Sequence, residues 1–128
     1  MRTIMRGVIG LLGLFNLAIG LGFLLAPAKL AAGFFLVPVG SQGLATLRAD
    51  FPGFFIGVAV FALIAARRGE ARPLVVPIVI LGLAFLGRCL SLVADGIGPA
   101  ALTPMAVEAV MLALLTAAYR SFGVRSSA

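Results

Sequence analysis

Four apolar runs, each long enough to cross a bilayer and each closed by a proline, glycine or arginine break, decide most of what this chain can become. The runs cover residues 7–26, 44–66, 73–95 and 102–120. A helix of about 20 apolar residues spans the roughly 30 Å hydrocarbon core. The chain is 62% hydrophobic and only 11% charged, so folded in water it would have too little polar surface to cover itself. Lipid in place of water resolves this. The expectation is one all-α domain over residues 1–128, a four-transmembrane-helix bundle.

The breaks are equally informative. Pro27 closes the first run, which Arg2 and Arg6 precede. A basic start followed by an apolar run and the small residues of APAKLAAG also suits a secretory signal peptide. Signal cores are about 7–15 residues, and this run is longer, so a retained helix is the preferred reading. Residues 30–43 are apolar but interrupted by Gly33, Pro38, Gly40 and Gly43. They suit a connection at the membrane surface, with Phe34 and Phe35 dipping in. Pro52 removes a backbone donor early in the second span, which predicts a kink or a restart there. Pro77 falls in the first turns of the third span, where it is better tolerated. Asp95-Gly96-Ile97-Gly98-Pro99 is a strong break, and Thr103-Pro104 can supply the N-cap and first residue of the fourth span. The tail SFGVRSSA is expected to fray.

Charge placement orients the bundle. Arg2 and Arg6, then Arg67, Arg68 and Arg72, then Arg120 and Arg125 fall on one side of a four-span arrangement. Lys29, Arg48, Asp50 and Asp95 fall on the other. The positive-inside rule then puts both termini in the cytoplasm. A net charge of +6 could suggest nucleic acid, but there is no basic patch with interleaved aromatics and no nucleic-acid motif. Without histidine and with one cysteine, Cys89, the chain has no intrachain disulfide and no Cys/His metal site. No cofactor is implied. Membrane lipids are the expected partners, and self-association is compatible with the small-residue faces.

Small residues and polar contacts hold helices together where lipid gives little hydrophobic drive. Gly10, Gly13 and Gly20 in the first span are candidates for close approach. So are Gly53 and Gly57 in the second, and Ala106, Ala109, Ala113 and Ala117 along one face of the fourth. Tight packing within one bundle outranks a dedicated dimer motif.

Helical rise places the remaining charges by depth. Arg88 lies roughly 22 Å along a third helix that starts near Pro73, about 8 Å below the outer face of the core. Glu108 lies about 9 Å below the same face on the returning helix. A charge at that depth is unfavourable without a partner, so pairing is expected. Arg88, Ser91 and Asp95 share a stripe at i, i+3 and i+7. Arg48 and Asp50 stand at the outer mouth of the second helix, with Asp50 on the face of Gly53 and Gly57. The candidate cluster is Arg48, Asp50, Arg88, Ser91, Asp95 and Glu108. Asn16, near the midplane of the first span, is the secondary candidate, with an interhelical hydrogen bond as its expected role. Cys89 and the phenylalanines read as packing or lipid-facing residues.

Arg48-Ala49-Asp50, then Gly87-Arg88-x-x-Ser91-x-x-x-Asp95-Gly96, then Glu108 resemble the pattern of a family of small four-helix bacterial membrane proteins. That family is known as a domain of unknown function, loosely akin to DoxX-like proteins. The resemblance covers nearly the whole chain. Pro52, in DFPG, departs from the aromatic-Gly-Gly-type run expected there. The resemblance implies a four-helix multi-pass protein of the bacterial inner membrane and no settled activity.

Three function classes remain open. The first is a binding or transport module whose arginines attract a small anionic or lipid-like ligand. The second is a non-catalytic structural or accessory subunit whose charges only fix the bundle. The third, a membrane enzyme using the acids in proton transfer, ranks last, because there is no histidine, nucleophile motif or phosphate loop. No catalytic residue is nominated.

Overall fold

Five helices form in the computed structural model, which describes residues 1–96, 98, 100 and 102–123. They are α1 (Arg2–Leu25), α2 (Pro27–Gly33), α3 (Gly40–Arg68), α4 (Val75–Ala94) and α5 (Leu102–Gly123), with a 3-10 turn, Arg72–Leu74, leading into α4. Among the described residues there is no strand. Four segments are long and apolar enough to cross a membrane: Arg2–Leu25, Gly40–Arg68, Arg72–Ala94 and Leu102–Gly123. The architecture is therefore the all-α four-span bundle. Ile97 and Pro99 of the expected break, and Arg125 with the rest of 124–128, lie outside the described residues.

Several boundaries move outward from the apolar runs. α1 begins at Arg2 because both leading arginines have partners across the bundle. Arg2 Nη2 donates to the Gly69 carbonyl. Arg6 Nε donates to the Ala66 carbonyl at 2.7 Å, and its Nη2 to that of Arg67. The last carbonyls of a helix have no partner within it, and a cation at that end is also favoured by the helix dipole. The arginines thus cap α3 from a neighbouring helix. Gly69 ends α3 at φ +68, and a side chain there would also meet Arg2 Nη2 at 2.7 Å. Both the left-handed turn and the close approach call for glycine.

α3 starts at Gly40 and runs through Pro52 without a restart, contrary to one expectation. Pro52 leaves the Arg48 carbonyl without its helical donor. Such a gap is tolerated in membrane helices because neighbouring groups and small local adjustments of the helix re-satisfy the freed carbonyl, and α3 continues through its 29 residues. The first connection also contains more structure than its sequence suggests. Pro27–Gly33 is helical, Phe34 packs on Phe23 with ring centroids 5.2 Å apart, and Phe35 adopts φ +61.

α1 and α3 form the most extensive helix pair. A Cβ on Gly13 would lie 2.8 Å from Leu63 Cγ, and one on Gly20 would lie 2.5 Å from Ile56 Cγ1. Those two glycines are notches into which α3 side chains fit. Gly53 and Gly57 are not, since a Cβ on either would meet nothing within 4 Å. The expected close contact through that pair is absent. The alanine face of α5 is likewise turned away from the bundle, with Ala106, Ala109, Ala113 and Ala117 all uncovered. The helix instead buries Glu108, Met111, Leu115, Ala118 and Phe122. The two faces point different ways, and the one carrying the charge is turned inward.

The core has two parts. The larger joins Ile9 and Leu12 of α1, Val58 and Ala62 of α3, and Leu81, Leu115 and Phe122 of α4 and α5. The smaller is aromatic: Phe23 lies between Phe51 at 4.8 Å and Phe55 at 5.9 Å, over Ala31 and Leu47.

Candidate functional site

Arg88 stands six residues before Ala94, the last of α4, and Glu108 six residues after Leu102, the first of α5. Antiparallel helices put two such positions at one level, about 9 Å from the helix ends. Arg88 Nε donates to Glu108 Oε1, and this is the one ion pair among the described residues. The carboxylate is covered, but the Arg88 side chain is 41% exposed. The pair uses one of the five donors of the guanidinium.

The exposed side of the pair faces a cavity of about 730 Å³. The cavity lies among α1, α3, α4 and α5. Phe15 and Ile19 of α1 form one wall, with Phe51, Phe54 and Phe55 of α3 beside them. Leu81 and Ala84 of α4, and Val107 and Met111 of α5, form the opposite wall. Phe34 and Phe35 lie across one side, and Thr103 adds a hydroxyl. Three charged groups reach this apolar chamber: Asp50, Arg88 and Glu108.

The other nominated residues lie elsewhere. Arg48 faces away from Asp50 and donates from Nε to the Leu24 carbonyl at 3.1 Å, near the end of α1. The stripe of Arg88, Ser91 and Asp95 divides. Arg88 crosses to α5, while Ser91 Oγ donates to Asp95 Oδ2 at 2.6 Å on the exposed end of α4. Neither Ser91 nor Asp95 lines the cavity. Asn16 is fully buried behind the Met111 wall. Its Nδ2 donates to the Leu12 carbonyl of its own helix at 2.9 Å and approaches Met111 Sδ of α5 at 3.5 Å. Its interhelical bond thus ends on a weakly accepting sulfur, and its Oδ1 is buried without a partner. No group of acids, cysteine or histidine among the described residues could hold a metal ion.

Sequence reasoning passed over the phenylalanines, which looked like lipid-facing or core residues. Six of the ten line the cavity: Phe15, Phe34, Phe35, Phe51, Phe54 and Phe55. The usable signal was their concentration, since five of these lie between positions 34 and 55 beside Asp50. The arrangement offers an apolar chamber with a cation, two carboxylates and a hydroxyl on its walls. That suits a molecule with an apolar body and a polar end.

Residues 4–119 match the model of a family described as "Domain of unknown function (DUF4345)". No curated protein and no solved structure matches the chain. The match spans most of the sequence, and the chain belongs to that family.

Proposed function

We propose that this DUF4345 family member is a multi-pass protein of the bacterial inner membrane that binds, and releases or moves, an anionic amphiphile. The arginine-rich end faces the cytoplasm, together with both termini, by the positive-inside rule. The cavity then opens in the outer half of the membrane. The ligand's apolar body lies against the phenylalanines, and its anionic end takes up free donors of Arg88. Glu108 holds the guanidinium in place from behind, while Asp50 and Thr103 give the polar end further contacts.

One observation carries this reading: the Arg88–Glu108 pair lies on the wall of a large apolar cavity instead of being packed over on all sides. A pair whose whole purpose was to tie α4 to α5 would have no need of that space. The competing reading, a structural subunit whose charges only tie the bundle, draws on the fact that Arg88 does have a carboxylate partner.

A fluorescent alkyl carboxylate, titrated against the purified chain beside its uncharged alcohol analogue, separates the two. The wild type should favour the carboxylate, and Arg88→Gln should lower that preference about ten-fold, the weight of one charge-assisted hydrogen bond. Gly33→Leu adds bulk to the cavity wall from α2, not from the helices that carry the pair, and a Cβ there meets nothing within 4 Å, so binding should fall while the melting temperature holds. Equal binding of both probes, unaltered by either substitution, leaves the structural reading standing.

A further inference from the structure

The arginine end of the bundle contains a second cavity, of about 570 Å³, remote from the Arg88 chamber. It lies between the start of α1, the turn that joins α3 to α4, and the last turns of α5. Arg2, Glu70, Arg72, Tyr119 and Phe122 line it. Arg2 is fixed by its bond to the Gly69 carbonyl and lies over the Phe122 ring, 5.9 Å from the centroid. Its Nε is covered and has no acceptor. Arg72 is exposed and makes no ion pair with Glu70 or any other carboxylate among the described residues. Arg6, Arg67, Arg68 and Arg120 belong to the same end, so six arginines there face one glutamate. The field favours an anion, and the planar fork of arginine suits phosphate oxygens.

We propose that this cavity binds a phosphate-bearing anion, presented by an anionic phospholipid headgroup. The volume far exceeds one small ion, and the cavity sits at the helix ends, where headgroups stand beside the hydrocarbon core. Arg72 supplies the free cation, Arg2 the immobilised one. The Tyr119 hydroxyl donates from the wall, with its ring at the apolar boundary, as tyrosine commonly sits at membrane interfaces. Glu70 opposes the ligand and keeps the site from holding it too tightly.

Tyr119 is the only tyrosine and the chain has no tryptophan, so intrinsic emission comes from this wall alone. The chain is reconstituted into phosphatidylcholine vesicles with increasing phosphatidylglycerol, and Tyr119 emission is followed. A saturable change is expected, absent from phosphatidylcholine alone. Arg72→Ala should require about five-fold more phosphatidylglycerol, the weight of one basic residue at an anionic surface. Glu70→Gln should shift the curve the other way by a similar factor, a gain that a merely structural acid would not give. A parallel titration of the detergent-solubilised chain with inorganic phosphate separates the sources. Saturation there at comparable concentration assigns the site to a soluble phosphate; silence there with a lipid response assigns it to the headgroup. No saturable change in either arm, or a curve that Arg72→Ala leaves in place, overturns the proposal.

Discussion

Between α1 and α3 the backbones approach because Gly13 and Gly20 leave room for Leu63 and Ile56, and two arginines bind the end of α3. Between α4 and α5 the specific tie is a guanidinium and a carboxylate. α4 buries only Pro77 and Leu81 among its residues. The first pair is held along its length by shape, while the second adds a charge pair at one level to the apolar core that Leu81 and Leu115 share. Shape complementarity leaves no room for a ligand, whereas a charge pair at the edge of a gap does. The cavity accordingly lies beside the charge pair, among α1, α3, α4 and α5.

The largest expected effect comes from attacking the notch. Gly20→Val puts atoms where Ile56 Cγ1 would be 2.5 Å from Cβ, and the Ile56 backbone nitrogen 3.2 Å away. The helices must separate, with a destabilisation of about 3 kcal/mol or more. Thermal unfolding in detergent should show a lowered midpoint, with much of the sample aggregating. A midpoint close to wild type would mean that α1 and α3 are no more tightly matched than α4 and α5.

A smaller loss should follow from Glu108→Gln, which leaves Arg88 without its counter-charge. Arg88 is partly exposed, so the expected loss is about 2 kcal/mol, less than for a fully buried pair. Replacing both, Arg88→Leu with Glu108→Leu, should recover most of it. The same double variant should lose the preference for the alkyl carboxylate. Recovered stability with retained preference would separate the tie from the ligand contact and remove Arg88 from the proposed site.

The smallest effect sharpens the comparison within α3. Gly53→Ala enters open space in a helix, so it should be neutral or stabilising by up to about 1 kcal/mol. A clear destabilisation there would show that something outside this chain packs on the Gly53 face.

The fold was legible because lipid restricts the choices. Once four apolar runs are found, helices are the economical spanning element, and the breaks at Pro27 and Asp95–Gly96 fall where the sequence marks them. The level shared by Arg88 and Glu108 was legible too, because it needs only helical rise and antiparallel order. Rotation about each helix axis was not. Gly53, Gly57 and the α5 alanines looked like packing faces by residue type, yet they point outward. Which small residue meets a neighbour depends on which face the partner helix offers. Arg48 and Asp95 misled for a related reason: each had a nearer acceptor or donor, the Leu24 carbonyl and the Ser91 hydroxyl, than the cluster imagined for it. The aromatic walls were invisible because a phenylalanine facing lipid and one facing a cavity are the same letter.

The reach of Arg2 and Arg6 to the far end of α3 bears on how the molecule is made. The ribosome must synthesise some sixty further residues before their acceptors at Ala66, Arg67 and Gly69 exist. Until then neither arginine has those acceptors, and arginines flanking a span are the charges that the positive-inside rule counts. In the proposed orientation the same two side chains would act twice, first as positive-inside charges and then as caps on the end of α3.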